Sequence, residues 1–233
     1  MIADRLAEVR SRIERAAARA GRDPAGITLV AVTKGHPLET ARAAAAAGLK
    51  DLGENRVLEA ATKMDAWPEA PVRWHLVGHL QRNKVKHAVG RFALIHSLDS
   101  VRLADALEEA AAERDLVQDL LVEVNVVGEE QKTGCPLAEA PALVDHASGL
   151  AHLRLTGLMT MAPLTDDVAV QRRAFAGLRD LRDRLTSHAS RLTSDVSRLT
   201  ELSMGMSNDF ETAVEEGSTL LRLGTVLFGE RPL

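Results

Sequence analysis

Tyrosine is absent from the 233 residues, and phenylalanine and tryptophan bring the aromatic share to only 3%. Cysteine occurs once, as Cys135, which excludes an intrachain disulfide and a cysteine-based zinc site. No apolar run approaches the roughly 18 residues of a membrane-spanning helix, so no membrane partner is expected. Excess positive charge is missing too. A net charge of -4 and a pI near 6.1 argue against a nucleic-acid partner held by phosphate neutralisation. What remains, 45% apolar and 27% charged residues, is the composition of an ordinary globular protein. Its length suits one barrel-sized domain, read here as spanning 1–233.

The N-terminal region carries Arg5, Arg10, Arg12, Arg15 and Arg19, an arginine excess that resembles an organellar presequence. Asp4, Glu8 and Glu14 interleave with them, whereas transit peptides are acid-poor. Ile2, Leu6, Val9, Ile13 and Ala17 recur every three or four residues, which predicts an amphipathic packing helix over about 3–20. The expected location is cytoplasmic.

Beyond that helix, short β-branched or apolar runs alternate with helical patterns. The runs are Ile27–Thr33, Lys50–Glu54, Arg73–Val77, Ala93–Ser97, Asp119–Val126, Arg154–Met159, Glu201–Met204 and Leu220–Leu223. Helical spacing falls between them, over Leu38–Leu49, Val101–Arg114, Leu137–His146 and Val168–Leu185. Strands that alternate with helices call for a parallel sheet. Eight of them at this length predict an α/β protein built as a closed (β/α)8 TIM barrel, in preference to an open doubly wound sheet. No Walker or dinucleotide glycine motif follows the first strand. The Ser/Thr/Arg-rich stretch 187–200, with its near-repeat of Ser-Arg-Leu-Thr, reads as a local elaboration without assigned function.

In a parallel barrel the chemistry sits at the C-terminal strand ends. The first strand runs straight into Lys34, and only six of the 29 basic residues are lysines. Burial there favours the neutral amine that a Schiff-base lysine needs, while the plain alternative is a strand-end charge reaching solvent. The second strand ends Gly53-Glu54-Asn55, where Asn55 either bonds a ligand or caps the next helix. His75 and His79 lie four apart on and after the third strand, a poor metal pattern with no third ligand in view, so they are expected to hydrogen-bond in the barrel and its mouth. Leu202-Ser-Met-Gly-Met-Ser207 leads into a helix expected near Asn208, so Ser207 either helps bind an anion or caps that helix, with Glu211 closing a capping box around Asn208. Arg222, Gly224 and Thr225 end the last strand. Arg222 and Gly224 share its inward face, and phosphate sites recur after strands seven and eight of such barrels. A lysine, an anion nest and an arginine between them fit pyridoxal phosphate, with the arginine facing the pyridine nitrogen.

At these residues the chain resembles the pyridoxal phosphate homeostasis protein family. The resemblance rests on Leu29-Val-Ala-Val-Thr-Lys34, Gly53-Glu-Asn55, Trp74-His-Leu-Val-Gly-His-Leu-Gln-Arg-Asn-Lys84, Gly157-Leu-Met159, Leu202-Ser-Met-Gly-Met-Ser207 and Arg222-Leu-Gly-Thr225 followed by Phe228-Gly229. It implies a barrel like the alanine racemase N-terminal domain. Lys34 would carry pyridoxal 5'-phosphate as a Schiff base, Arg222 would face the ring nitrogen, Asn55 would lie near the ring, and Ser207, Gly224 and Thr225 would hold the phosphate. It further implies a non-catalytic carrier that buffers the cofactor and supplies apo-enzymes. One departure is Arg56, where relatives often have an aromatic residue.

The main rival is an amino-acid racemase or decarboxylase on the same barrel. Racemisation needs a second acid/base opposite the lysine, and the chain has no tyrosine for it, leaving Cys135 or a histidine. A Schiff-base aldolase is the second rival, and it gives Arg222 no role. Lys132, in Glu129-Glu-Gln-Lys-Thr-Gly134, is a candidate for cofactor release or transfer, or a plain loop charge. A barrel closes its own sheet, so a monomer is expected.

Overall fold

The computed structural model describes residues 2–129, 133–188 and 199–230. The predicted N-terminal helix is α1 (Ile2–Arg19), which buries Leu6, Val9, Ile13, Ala16 and Ala17 along one stripe. All eight predicted runs form strands: β1 (Thr28–Val32), β2 (Asp51–Glu54), β3 (Arg73–Leu76), β4 (Leu94–Leu98), β5 (Gln118–Asn125), β7 (Leu153–Met159), β8 (Glu201–Ser203) and β9 (Leu220–Leu223). A two-residue strand, β6 (Cys135–Pro136), adds a bridge outside β5 that the sequence pattern does not announce.

Every strand pairing among the described residues is parallel. The order β4-β3-β2-β1-β9-β8-β7-β5 is closed by the β4–β5 pairing, so the sheet is an eight-stranded barrel without a free edge. Helices α2 (Leu38–Ala46), α3 (Val57–Asp65), α4 (Val85–Ala88), α5 (Val101–Ala112), α6 (Ala140–Ser148), α7 (Val168–His188), α8 (Phe210–Glu215) and α9 (Thr225–Phe228) follow the strands around the outside.

Strand pleating divides the core in two. Outward positions such as Ala31, Leu52, Leu76 and Leu120 pack under the helices with Ala41, Ala44, Ala60, Leu103 and Leu107. Inward positions Val30, Val32, Val77, Leu94, Leu121, Met159 and Leu220 fill the barrel. The inside is not wholly apolar, because Asp51, His75, His96, Ser203 and Arg222 are buried there as well.

A candidate site at the C-terminal mouth

Six residues singled out in the sequence, Lys34, Asn55, Ser207, Arg222, Gly224 and Thr225, line one cavity of about 460 Å³ at the C-terminal strand ends. Each arrives there for a local reason. β1 ends at Val32, and Thr33 turns its hydroxyl outward to Glu54 Oε1 at 2.6 Å. Lys34 therefore stands in a turn just past the strand and is half-buried, not deeply buried as the apolar run suggests. Asn55 follows β2 and does not cap α3, whose capping position is Arg56. Arg56 is exposed and stands outside the cavity lining.

The expected anion nest falls on two loops, those after β8 and β9. Gly205 has φ +96°, and a Cβ there would come within 2.5 Å of Ala213 Cβ, so only glycine makes this turn against α8. The helix begins later than expected: its capping residue is Asp209, whose Oδ1 accepts from the Met206 N–H at 2.6 Å. Glu211 forms no capping box, because Arg12 of α1 holds it through two bonds of 3.1 and 2.8 Å. Ser207 is thus released from capping α8. Its Oγ accepts from the Val226 N–H at 3.3 Å, joining this loop to the chain after β9. Gly224 lets that chain lie close to β1, where an added Cβ would sit 3.3 Å from the Val32 carbonyl oxygen.

Arg222 is buried and forms part of the cavity lining. It donates from Nη1 to Ser203 Oγ at 2.7 Å and from Nη2 to the Thr160 carbonyl at 3.0 Å. Burial pulls its pKa down to about 10, against the opposing pull of Glu123 and Asp209, so it remains a cation at neutral pH. Below it a polar chain crosses the barrel. His96 Nδ1 is 2.9 Å from Ser203 Oγ, His96 Nε2 is 3.0 Å from His75 Nδ1, and His75 Nε2 is 2.9 Å from Asp51 Oδ1. Burial pushes Asp51 upward, but hydrogen bonds from His75 and Arg73 outweigh it and hold the carboxyl below its usual range. With both imidazoles neutral, donors and acceptors match in one direction: Arg222 to Ser203, Ser203 to His96, His96 to His75, and His75 to Asp51.

His75 accordingly bonds inside the barrel, and His79 sits at the mouth with Nδ1 3.2 Å from Asp99 Oδ2. Among the described residues no cluster of three His, Cys, Asp or Glu side chains is arranged for a metal. Cys135 is buried and its thiol is pushed up to about 12, chiefly by burial, which removes it as a base. Lys132 and most of the 187–200 stretch lie outside the described residues.

The sequence reading missed Glu123, His36 and Met161 in the cavity and His96 and Ser203 below it. Glu123 is buried, with a carboxyl raised chiefly by burial, and it accepts from the Thr133 hydroxyl at 2.5 Å. Inward parity on β5 was the available signal, since Leu121 and Glu123 share a face.

Fold and cavity together define a closed α/β barrel protein with a cavity at the C-terminal ends of its strands, lined by a lysine and a buried arginine among other polar groups. The model of the family described as "Alanine racemase, N-terminal domain" matches residues 5–232. A pyridoxal phosphate homeostasis protein of Aquifex aeolicus is 42% identical over 228 residues, covering 98% of this chain and 97% of that protein. One of Pseudomonas aeruginosa is 41% identical over 230 residues, covering 99% and 96%. The solved structure of PipY from Synechococcus elongatus, with PLP bound, is 40% identical and superposes with a TM-score of 0.85, covering 98% of this chain and all of that one (100%). An alanine racemase of Clostridium difficile, 13% identical with a TM-score of 0.76 over 96% of this chain and 56% of its own, shares the fold alone. The chain belongs to the alanine racemase N-terminal domain family and, within it, to the pyridoxal phosphate homeostasis proteins.

Proposed function

We propose that this protein binds pyridoxal 5'-phosphate through Lys34 and acts in intracellular homeostasis of that cofactor, carrying and buffering it. The observation that carries the reading is the convergence of an amine, a buried guanidinium and two hydroxyl-bearing turns on one cavity. The residues fit the group. Ser207 and Thr225 offer hydroxyls, Gly224 leaves room for close backbone approach, and Arg222 supplies a fixed cation. When bound, pyridoxal phosphate supplies an aldehyde that reacts with amines and a ring that withdraws electrons.

Lys34 provides the amine for a covalent link, from a position that solvent reaches. Ser207, Gly224 and Thr225 hold the phosphate, and Asn55 flanks the ring. Arg222 can only donate, so it leaves a ring nitrogen facing it without a proton. That weakens electron withdrawal and favours storage over turnover. Acceptors of the cofactor are apo-enzymes that need it, and the carrier works as a monomer in the cytoplasm. No helix among the described residues is long and apolar enough to cross a membrane.

One observation favours a second reading, slow turnover of amino acids. β5 lies four strands from β1 either way round the barrel, so Glu123 stands across the mouth from Lys34 as a buried carboxyl in the same cavity. As a buried carboxyl in that lining, it is suited to replace the missing tyrosine as an opposing acid.

The test is the absorption spectrum of the purified protein before and after borohydride, with the adduct mapped by mass spectrometry. A yellow protein carrying pyridoxyl mass on Lys34 is expected, with no measurable amino-acid racemisation. A colourless protein that takes up no added pyridoxal phosphate refutes the reading, and turnover lost in Glu123→Gln would promote the second one.

A further inference from the structure

Behind the cavity wall, a buried ionic cluster grips the chain on both sides of Lys34. Lys63 of α3 is only 7% exposed, and its ammonium reaches Glu54 Oε1 at 2.6 Å, the Thr33 carbonyl at 2.9 Å and Glu59 Oε1 at 3.3 Å. Thr33 Oγ1 donates to the same Glu54 oxygen. Glu59 Oε1 also accepts from the Gly35 N–H at 2.8 Å, where the backbone turns with φ +71°. The residue before Lys34 and the residue after it are therefore each tied to β2 or α3. Lys63, Glu54 and Glu59 stand outside the cavity lining, so none of them is placed to touch a ligand.

Stability alone is a poor explanation for this cluster. Burying charges is expensive, and apolar replacements often serve a fold as well or better. Glu54 is fully buried, and its second oxygen, Oε2, has no hydrogen-bond partner among the described residues. An unsatisfied buried oxygen of this kind calls for a reason beyond packing. Geometry supplies one. A lysine on a short turn has four rotatable side-chain bonds, and only a fixed backbone limits where its amine can be. The three contacts on the Lys63 ammonium also match its three N–H donors, so the neighbouring lysine is fully engaged.

We propose that Lys63, Glu54 and Glu59 are positioning residues that clamp the turn 33–35 and so hold the Lys34 amine ready to capture an aldehyde. The inference rests on the reading that Lys34 is the anchoring amine. In capture, the amine nitrogen adds to the aldehyde carbon, and one water leaves as the C=N bond forms; release is the reverse, with water consumed. The clamp lowers the cost of reaching that geometry without contributing to phosphate binding.

Glu59→Ala tests it at the most exposed member of the cluster, whose side chain is 30% exposed. Capture of pyridoxal phosphate is followed by stopped-flow absorbance. Affinity for pyridoxamine 5'-phosphate, which lacks the aldehyde, is measured alongside. Glu59→Ala is expected to slow capture by about 5-fold, the worth of the lost Gly35 hydrogen bond, with the longer Lys63 contact removed as well. Glu59→Gln, which keeps an acceptor for Gly35, should recover most of the rate, and pyridoxamine phosphate affinity should stay at the wild-type value throughout. Capture by Glu59→Ala at the wild-type rate overturns the clamp and leaves the cofactor reading standing. An equal fall in pyridoxamine phosphate affinity also overturns it, because the whole site would then have loosened. Wild-type protein that binds neither ligand overturns the cofactor reading and the clamp with it.

Discussion

Lys34, Ser207 and Thr225 owe their places in the cavity to where the chain turns, and single substitutions separate the roles proposed for them. Lys34→Ala should abolish the borohydride-trapped adduct while retaining phosphate-anchored binding, measured by mass spectrometry and by titration. Ser207→Ala and Thr225→Ala should each weaken affinity by about 1–3 kcal/mol if each hydroxyl donates a buried bond to the phosphate. Wild-type affinity in both would place the anion elsewhere. These residues were legible because each follows a recognisable strand in a sequence with few lysines. Glu123, His96 and Ser203 were not. A buried polar residue within an apolar strand shows its worth only when its partners, which lie 10 to 107 positions away along the chain, are placed beside it.

At the scale of elements, α1, α2, α5, α6 and α7 answer to helical patterns in the sequence, with ends moved by a few residues, whereas the short α4 and α9 do not. The start of α8 moved for a reason outside its own sequence. Arg12 of α1 takes Glu211 in a two-bond contact and lies 4.5 Å over the Phe210 ring, while Arg172 of α7 and Arg19 of α1 hold Glu215. Tertiary pairing thus outcompeted a local capping box. The hydrogen bond from Arg12 holds the Glu211 carboxyl below its usual range, and that from Arg172 does the same for Glu215. A depressed folded pKa stabilises above the unfolded value and is lost as pH falls through the folded one. Arg12→Ala should therefore cost about 0.5–1 kcal/mol at neutral pH, reduced by solvent screening, and nothing once the carboxylates are protonated. Urea denaturation at neutral pH and at about pH 3, below the reference carboxylate pKa values, would show this, and an equal loss at both would assign it to the Phe210 contact instead.

For the whole molecule, the polar chain from Arg222 to Asp51 makes the barrel interior sensitive to acid well before the carboxylates are. His96 is fully buried, and burial, with the nearby charge of Arg222, drives its pKa well below 6.5. The unfolded chain then binds a proton that the folded one refuses, so stability rises with pH and is lost as pH falls below about 6.5. The expected slope is up to about 1.4 kcal/mol per pH unit, and His96→Gln should flatten it. A slope unchanged in that variant would assign the loss to another group. Closure, too, is a whole-molecule property. Alternating strand and helix patterns already imply a parallel sheet, because each apolar run is short, each helix has one apolar stripe, and both must be buried. The same chain of residues names the lysine, the arginine and the hydroxyls, because their chemistry and their places after strands are local facts. Tertiary structure alone decided which of them meet: the β4–β5 pairing curls the ends of β1, β8 and β9 around one cavity, and hydrogen-bond partners distant in sequence fix what each side chain is free to do.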